Sequence, residues 1–598
     1  MSVHTPAAPL PRTRPIAIAA RPDLVAVALL AVGFVVALAL TWNAWGDLAH
    51  DTGYDLLAAQ RISHRELPYL DFPYIYGPLG VGILGLAFAV FGASTGTAVG
   101  VGITLGVFAI LLTYALARQV ASVVASAVAA GLAATTVVAT GNISLITPHA
   151  MAASVAVVVS LAGLLTAARF AATGRRAWLV GSGLATGLLA LTRPEFLAAL
   201  ALATVLWLAL RIVSAEHRRR AVVDALAWAA AAVAVPVVAY GAILTQVSPR
   251  KLIDNLYPSD QLSAGSSAVL KSAAPLTAHS FVSLAADLVA YGVIAAVLVA
   301  AGRLATRHRR LVILAGLGAL ALLLAVLAAR PEAVRSRLHF AFEWIPAGAV
   351  IAVVLLTRLG LRERGLWRAR DQVALLTAGF LAVLAAKTYA AFDPHPNPTV
   401  AQFATYALPF AAVFLAWLHV EVLPRGAASG RAVGLAWVAA LLVACAVLVA
   451  HDGRDETAVV HGPGGSIAAP AQDGQAYQQA LDAIVGRTKP GDPILIAPQA
   501  TMLYTLSGRT DPLPELSLLP GTLPTERAEA TAIARMGDVR LAVTDRRNLT
   551  EYGQGAFGES YNRRLGAWLR SDFKRVATYR GSASSGVILD LWQRSAQK

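Results

Sequence analysis

Asp51 and Asp55 stand four residues apart in a polar stretch, 50–78, that reads HDTGYDLLAAQRISHRELPYLDFPYIYGP between two apolar runs. Glu66 and Asp71 follow, together with Arg61, His64 and the tyrosines Tyr69, Tyr74 and Tyr76. Carboxylates at the edge of a membrane are costly to keep there without a partner or a task. The task they suit is taking the proton from an attacking hydroxyl. Asp51 is the candidate base. It also precedes an expected helix over 54–62 and can cap that helix, and the two roles are compatible. Asp55 lies on the same helix face. It either joins Asp51 in a metal site or a pair of coupled acids, or pairs locally with Arg61 or a tyrosine hydroxyl. Asp71, between Pro68 and Pro73, either forms a turn or binds substrate. Tyr69, Tyr74 and Tyr76 either stack on sugar faces or anchor the chain at the membrane interface.

The elements that must hold these residues are membrane helices. The 598 residues are 57% hydrophobic and 14% charged, and apolar runs of spanning length recur through most of the chain. A net charge of +15 would suggest nucleic acid for a soluble protein. Most of the excess arginine, however, sits in short loops between apolar runs, where it reports topology, so nucleic acid is not an expected partner. Residues 1–22 read as a disordered cytoplasmic tail whose arginines keep the start of the first span inside. The first loop, 43–78, is then external. The apolar stretch 79–92 is short and glycine-rich and reads as a re-entrant or juxtamembrane helix. With that assignment the later basic loops fall inside, and the membrane domain 23–450 holds about thirteen spans with the N-terminus cytoplasmic. Cys445 is the only cysteine and lies in an apolar run, so no intrachain disulfide and no cysteine metal site is available.

After residue 450 the composition becomes that of a soluble domain. Residues 451–474 read as a Gly- and Pro-rich linker, and 475–598 as a small extracytoplasmic α/β domain. Its strands are expected near 493–497, 538–544, 575–579 and 587–592. No glycine-rich phosphate loop opens a helix, so no nucleotide cofactor is implied.

Outside the cytoplasm there is no ATP, and a transferase there must use a pre-activated donor. A sugar on a polyprenyl phosphate fits, because the lipid lies among the helices and its phosphate at the interface. The departing phosphate then needs cations. The external candidates are Arg193 in LTRPEF, then Arg335, Arg337 and His339 in one loop, and Lys387 near the outer end of a span. Such arginines either grip phosphate through the guanidinium fork or meet anionic headgroups. Lys387 either reaches the donor phosphate or snorkels.

The segment PYLDFPYIYGPLGVGILGLAFAVFG that follows Asp51, and ALTRPEF at 190–196, resemble the GT-C superfamily of membrane glycosyltransferases, especially its family 39-like bacterial branch. The resemblance implies a GT-C-like α-helical polytopic membrane protein of the bacterial cell membrane. It also implies a polyprenyl-phosphate-linked sugar as donor and a glycan, lipid or protein as acceptor. In that family the first-loop acid serves as base or orients the acceptor, and the matching position is Asp51. Here the loop reads Asp51-Thr52, not the paired acids of many members, so no metal is expected. A single base implies inverting hexosyl or pentosyl transfer. Two alternatives stay open: a transporter or flippase of a lipid-linked saccharide, ordinarily built from repeats, and a polysaccharide polymerase or ligase resting on external Arg and His.

Overall fold

The computed structural model describes residues 21–595 apart from 50, 142–143, 148–149, 216, 259–277, 333, 335–344, 363–366, 386–397, 424–427, 548 and 550–552. The membrane region opens with α1 (Arg21–Leu40), α2 (Thr52–Ser63), α3 (Pro78–Phe91), α4 (Thr95–Ala117) and α5 (Val123–Val137). It continues with α6 (Met151–Thr173), α7 (Arg176–Leu189), α8 (Pro194–Ser214), α9 (Arg218–Leu244) and α10 (Pro249–Leu256). Later helices include Ala278–Arg307, Arg309–Ala329, Ala369–Leu384 and Ala428–Asp455. Among the described residues, seven helices are long and apolar enough to cross a membrane, and shorter apolar helices accompany them. Leu24, Leu29, Val32 and Val35 of α1 are exposed, as suits a helix whose surroundings are lipid tails.

Local chemistry sets where these helices begin. Ser94 Oγ accepts the Thr97 amide at 3.1 Å and Ser122 Oγ the Ala125 amide at 3.4 Å, which satisfies donors that the first turn leaves open. Pro78 and Pro194 start α3 and α8, positions where a missing N–H costs nothing.

Helix ends sort onto two sides. On the first side the Ala468 amide donates to the Asn43 carbonyl beyond α1 at 2.8 Å, and the Thr95 amide of α4 to the Gly464 carbonyl at 2.9 Å. Gly141, beyond α5, donates to Ala44 at 2.8 Å, and Gly77 and Leu79 donate to Thr192 and Leu191, between α7 and α8, at 3.0 and 2.9 Å. On the second side Arg118, just past α4, meets Asp23 of α1 at 2.8 Å, and Arg176 of α7 meets Asp224 of α9 at 2.6 Å. Consecutive helices from α4 to α8 therefore alternate in direction. α3 does not: it leaves the Gly77 bridge and ends just before Thr95, so both its ends lie on the first side.

The C-terminal region is α/β. A four-stranded sheet has the order β3 (Leu495–Ala497), β4 (Leu541–Asp545), β6 (Ile588–Arg594), β5 (Phe573–Arg580), with β3 and β4 parallel and the other pairs antiparallel. The segment expected as a linker is folded. α-Helix runs on to Asp455, then β1 (Ala458–Gly462) and β2 (Gly465–Ala469) pair as a hairpin, and the helix Ala471–Arg487 follows. Pro463 and Gly464, which read as linker residues, close that hairpin.

Two large hydrophobic clusters result. One fills the membrane region around Trp207, Phe170, Phe380 and Phe410. The other joins the first loop to the C-terminal region: Leu56, Leu57, Tyr69 and Tyr74 pack in one core with Tyr477, Met502, Leu506 and Leu589. Gly53 permits this approach, because a Cβ there would lie 2.1 Å from the Met502 amide nitrogen. The C-terminal region and the loop therefore occupy the same side of the membrane region.

Candidate active site

α2 is the short helix on which the loop is built. Asp51 occupies its N-cap position, but its carboxylate takes no capping hydrogen bond, so the capping reading holds for its place and not for its side chain. The preceding turn is closed by others: Thr52 Oγ1 accepts the Asp47 amide at 3.0 Å, and Asp47 Oδ1 accepts the Ala49 amide at 2.6 Å.

One turn along, Asp55 is 3% exposed. Its carboxylate accepts the Tyr74 hydroxyl at 2.8 Å and the backbone amide of Met151, the first residue of α6. A helix N-terminus favours a negative charge, so Asp55 fastens α2, the aromatic segment and α6 together. Of the two local partners considered for it, the tyrosine hydroxyl is the one found. Arg61 turns instead toward the C-terminal region, with Glu66 at 3.4 Å, Asp511 at 3.5 Å and the Leu513 carbonyl as partners.

The aromatic segment is largely internal. Tyr69 and Tyr74 expose no surface. Tyr74 stacks on Tyr54 with centroids 5.7 Å apart and meets the edge of Tyr76 at 5.8 Å. The Tyr69 hydroxyl donates to the Tyr76 carbonyl at 2.6 Å, and the Tyr74 amide to Asn255 Oδ1 of α10 at 3.1 Å. Packed in this way, Tyr69 and Tyr74 offer no ring face to a sugar. Asp71 is exposed and accepts the Leu67 amide at 2.7 Å, which closes a turn.

Tyr76 lies where the loop meets the segment before α8. The Arg193 guanidinium sits over its ring at 5.4 Å and over that of Tyr406 at 6.0 Å, while Arg193 Nε contacts Glu195 Oε1 at 2.7 Å. Among the described residues Arg193 Nη1 is buried without a hydrogen-bond partner. Gly77 makes this junction possible, since a Cβ there would lie 2.2 Å from the Leu191 carbonyl carbon. Burial holds the Tyr76 phenol well above its ordinary pKa; the Arg193 charge pulls it down, and those of Asp51 and Asp55 push it up.

The structure brings together Asp55, Tyr74, Tyr76 and Arg193, places Asp51 one helical turn before Asp55, and sets Asp71 in an exposed turn. Arg335, Arg337, His339 and Lys387 lie outside the described residues. Among the described residues no three His, Cys, Asp or Glu side chains come together as metal ligands do. Sequence reasoning missed Glu195 and Tyr406, which hold Arg193. Glu195 had a signal, being two residues from Arg193 in the same motif; Tyr406, more than 200 residues away in the sequence, had none.

No family model and no curated protein matches this chain. Solved structures similar to it include the oligosaccharyltransferase AglB from Archaeoglobus fulgidus in complex with an inhibitory peptide and a dolichol-phosphate. That match has 14% identity and a TM-score of 0.47, over 94% of this chain and 74% of that one. ArnT from Cupriavidus metallidurans is also similar. Its complex with undecaprenyl phosphate matches with 12% identity and a TM-score of 0.42, and its apo state with 12% and 0.48, each over 95% of this chain and 97% of that one.

Proposed function

We propose that the protein is a membrane glycosyltransferase that moves a sugar from a polyprenyl-phosphate donor to an acceptor hydroxyl on the extracytoplasmic face. The observation that supports this reading is the buried junction beside the loop that carries Asp51, where Arg193 lies over the Tyr76 ring at 5.4 Å and keeps an N–H without a described partner. A displacement at an anomeric carbon needs a base for the attacking hydroxyl and a cation for the departing phosphate. Asp51 takes the proton of the acceptor hydroxyl, and the oxygen forms its bond to the anomeric carbon. The bond from that carbon to the phosphate oxygen breaks, and the lipid phosphate leaves with the electron pair. Arg193, with a buried N–H aimed at no described acceptor, meets the charge that builds on the phosphate. One displacement with one base inverts the configuration. Arg335, Arg337, His339 and Lys387 are further candidates for the donor phosphate, and Asp71 for the acceptor.

The test is sugar transfer from a polyprenyl-phosphate donor by purified protein in lipid. Asp51→Asn keeps size and polarity but removes basicity, and turnover is expected to fall by about 10² or more with the melting temperature unchanged. Near-normal transfer by the folded variant would remove Asp51 from the mechanism.

A further inference from the structure

A polar cavity lies at the C-terminal end of α2. It is a cleft of about 170 Å³ between the loop and the C-terminal region, lined by Gln60, Arg61, His64, Glu66 and Asp511 over an apolar floor that includes Leu57. It opens roughly 15 Å along the helix from Asp51, on another side of it, so whatever it holds is not the group that reacts. We propose that this cleft binds a single neutral sugar ring of a glycan and anchors that glycan to the protein.

Charge argues first. The Arg61 guanidinium is flanked by Glu66 at 3.4 Å and Asp511 at 3.5 Å. A phosphate entering here would face the Glu66 carboxylate and the buried Asp511 carboxyl, and a metal ion would face the guanidinium, so neither sign of ion is favoured. Hydrogen bonding argues second. The walls mix donors with acceptors, which suits hydroxyls that both give and take. Gln60 Oε1 is buried and, among the described residues, has no hydrogen-bond partner, and such an acceptor is costly until a donor arrives. Burial raises the Asp511 pKa to about 7, so near neutrality this carboxyl can donate as well as accept. Size argues third. A cavity of about 150 Å³ holds benzene, so 170 Å³ has room for one six-membered ring. That the hydroxylated ring is a sugar rests on the transferase reading; the cleft's fit to a neutral hydroxylated ring does not.

The experiment needs no donor and no turnover. Methyl glycosides of glucose, galactose, mannose and arabinose are offered to the full-length protein in lipid nanodiscs, and binding is read by saturation-transfer NMR. At least one should bind saturably. Gln60→Leu, which removes the waiting acceptor, should weaken it about fivefold or more. His64→Trp, which adds bulk at an exposed rim position, should abolish it, with melting temperatures as controls. This readout is independent of transfer, so failure of the cleft leaves the transferase reading to its own test with Asp51→Asn. No binding by any glycoside, or binding unchanged in the two cleft variants, overturns the proposal.

Discussion

Asp51 and Asp55 are one helical turn apart and differ in what surrounds them. Asp55 is closed off by the Tyr74 hydroxyl and the Met151 amide, two donors that an uncharged amide cannot serve equally well. Asp55→Asn turns an NH₂ or a weaker acceptor toward one of them, at a cost on the order of 1–3 kcal/mol. The expected outcome is a lower midpoint in chemical denaturation, with transfer by the protein that remains folded cut far less than by Asp51→Asn. A stable Asp55→Asn variant without activity would move the base one turn along α2. At this scale the sequence offered candidate residues and did not show what they touch. An acid just before a helix is legible. That Tyr74 would be buried under that helix is not, because the pairing depends on how a Pro-rich segment folds back.

α2 as an element is held at three points: at Gly53 by the Met502 backbone, at Asp55 by α6, and at Arg61 by the 511–513 segment. The third point is sensitive to pH. Desolvation raises Asp511 to about 7 although Arg61 works against it, with Tyr504 and Glu515 also facing the group. A carboxyl raised above its unfolded value contributes stability that is complete below pH 4 and is lost as pH rises through about 7. The slope for one such proton is about 1.4 kcal/mol per pH unit. Wild-type protein should therefore lose stability between pH 4 and 7 relative to Asp511→Asn, as measured by the difference in melting temperature across that range. Glu456, also pushed to about 7 by burial and neighbouring acids, leaves a residual slope in the variant. A difference that does not change with pH would show that Asp511 ionises freely in the folded protein. The elements themselves were largely readable. The strands of the C-terminal sheet fall close to their expected places, since short apolar runs between turn residues have few other uses. The β1–β2 hairpin was missed because Pro463 and Gly464 suit a hairpin turn and a linker equally.

For the whole molecule, the sharing of one side by the first loop and the C-terminal region constrains topology. Arg118, Arg169, Arg175, Arg176 and Arg218 to Arg220 all belong to the opposite side, where α4, α6 and α8 end and α7 and α9 begin. If that basic side is cytoplasmic, a reporter enzyme fused after residue 595 that works only outside the cytoplasm should be active, and one fused after Arg175 should not. The reverse pattern would place the candidate site in the cytoplasm and end the case for a lipid-delivered donor. Sequence periodicity was enough to show the membrane region and its C-terminal appendage. It could not show that they share a core, because the residues involved are separated by most of the chain. Arg61 and Leu513 are 452 residues apart. A ribosome emits the loop early and its covering late, so Leu56, Leu57 and Tyr74 must wait through the insertion of every intervening helix before Met502, Leu506 and Leu589 arrive to enclose them. Contacts this distant in sequence are slow to form, and the loop that carries Asp51 is made long before it is finished.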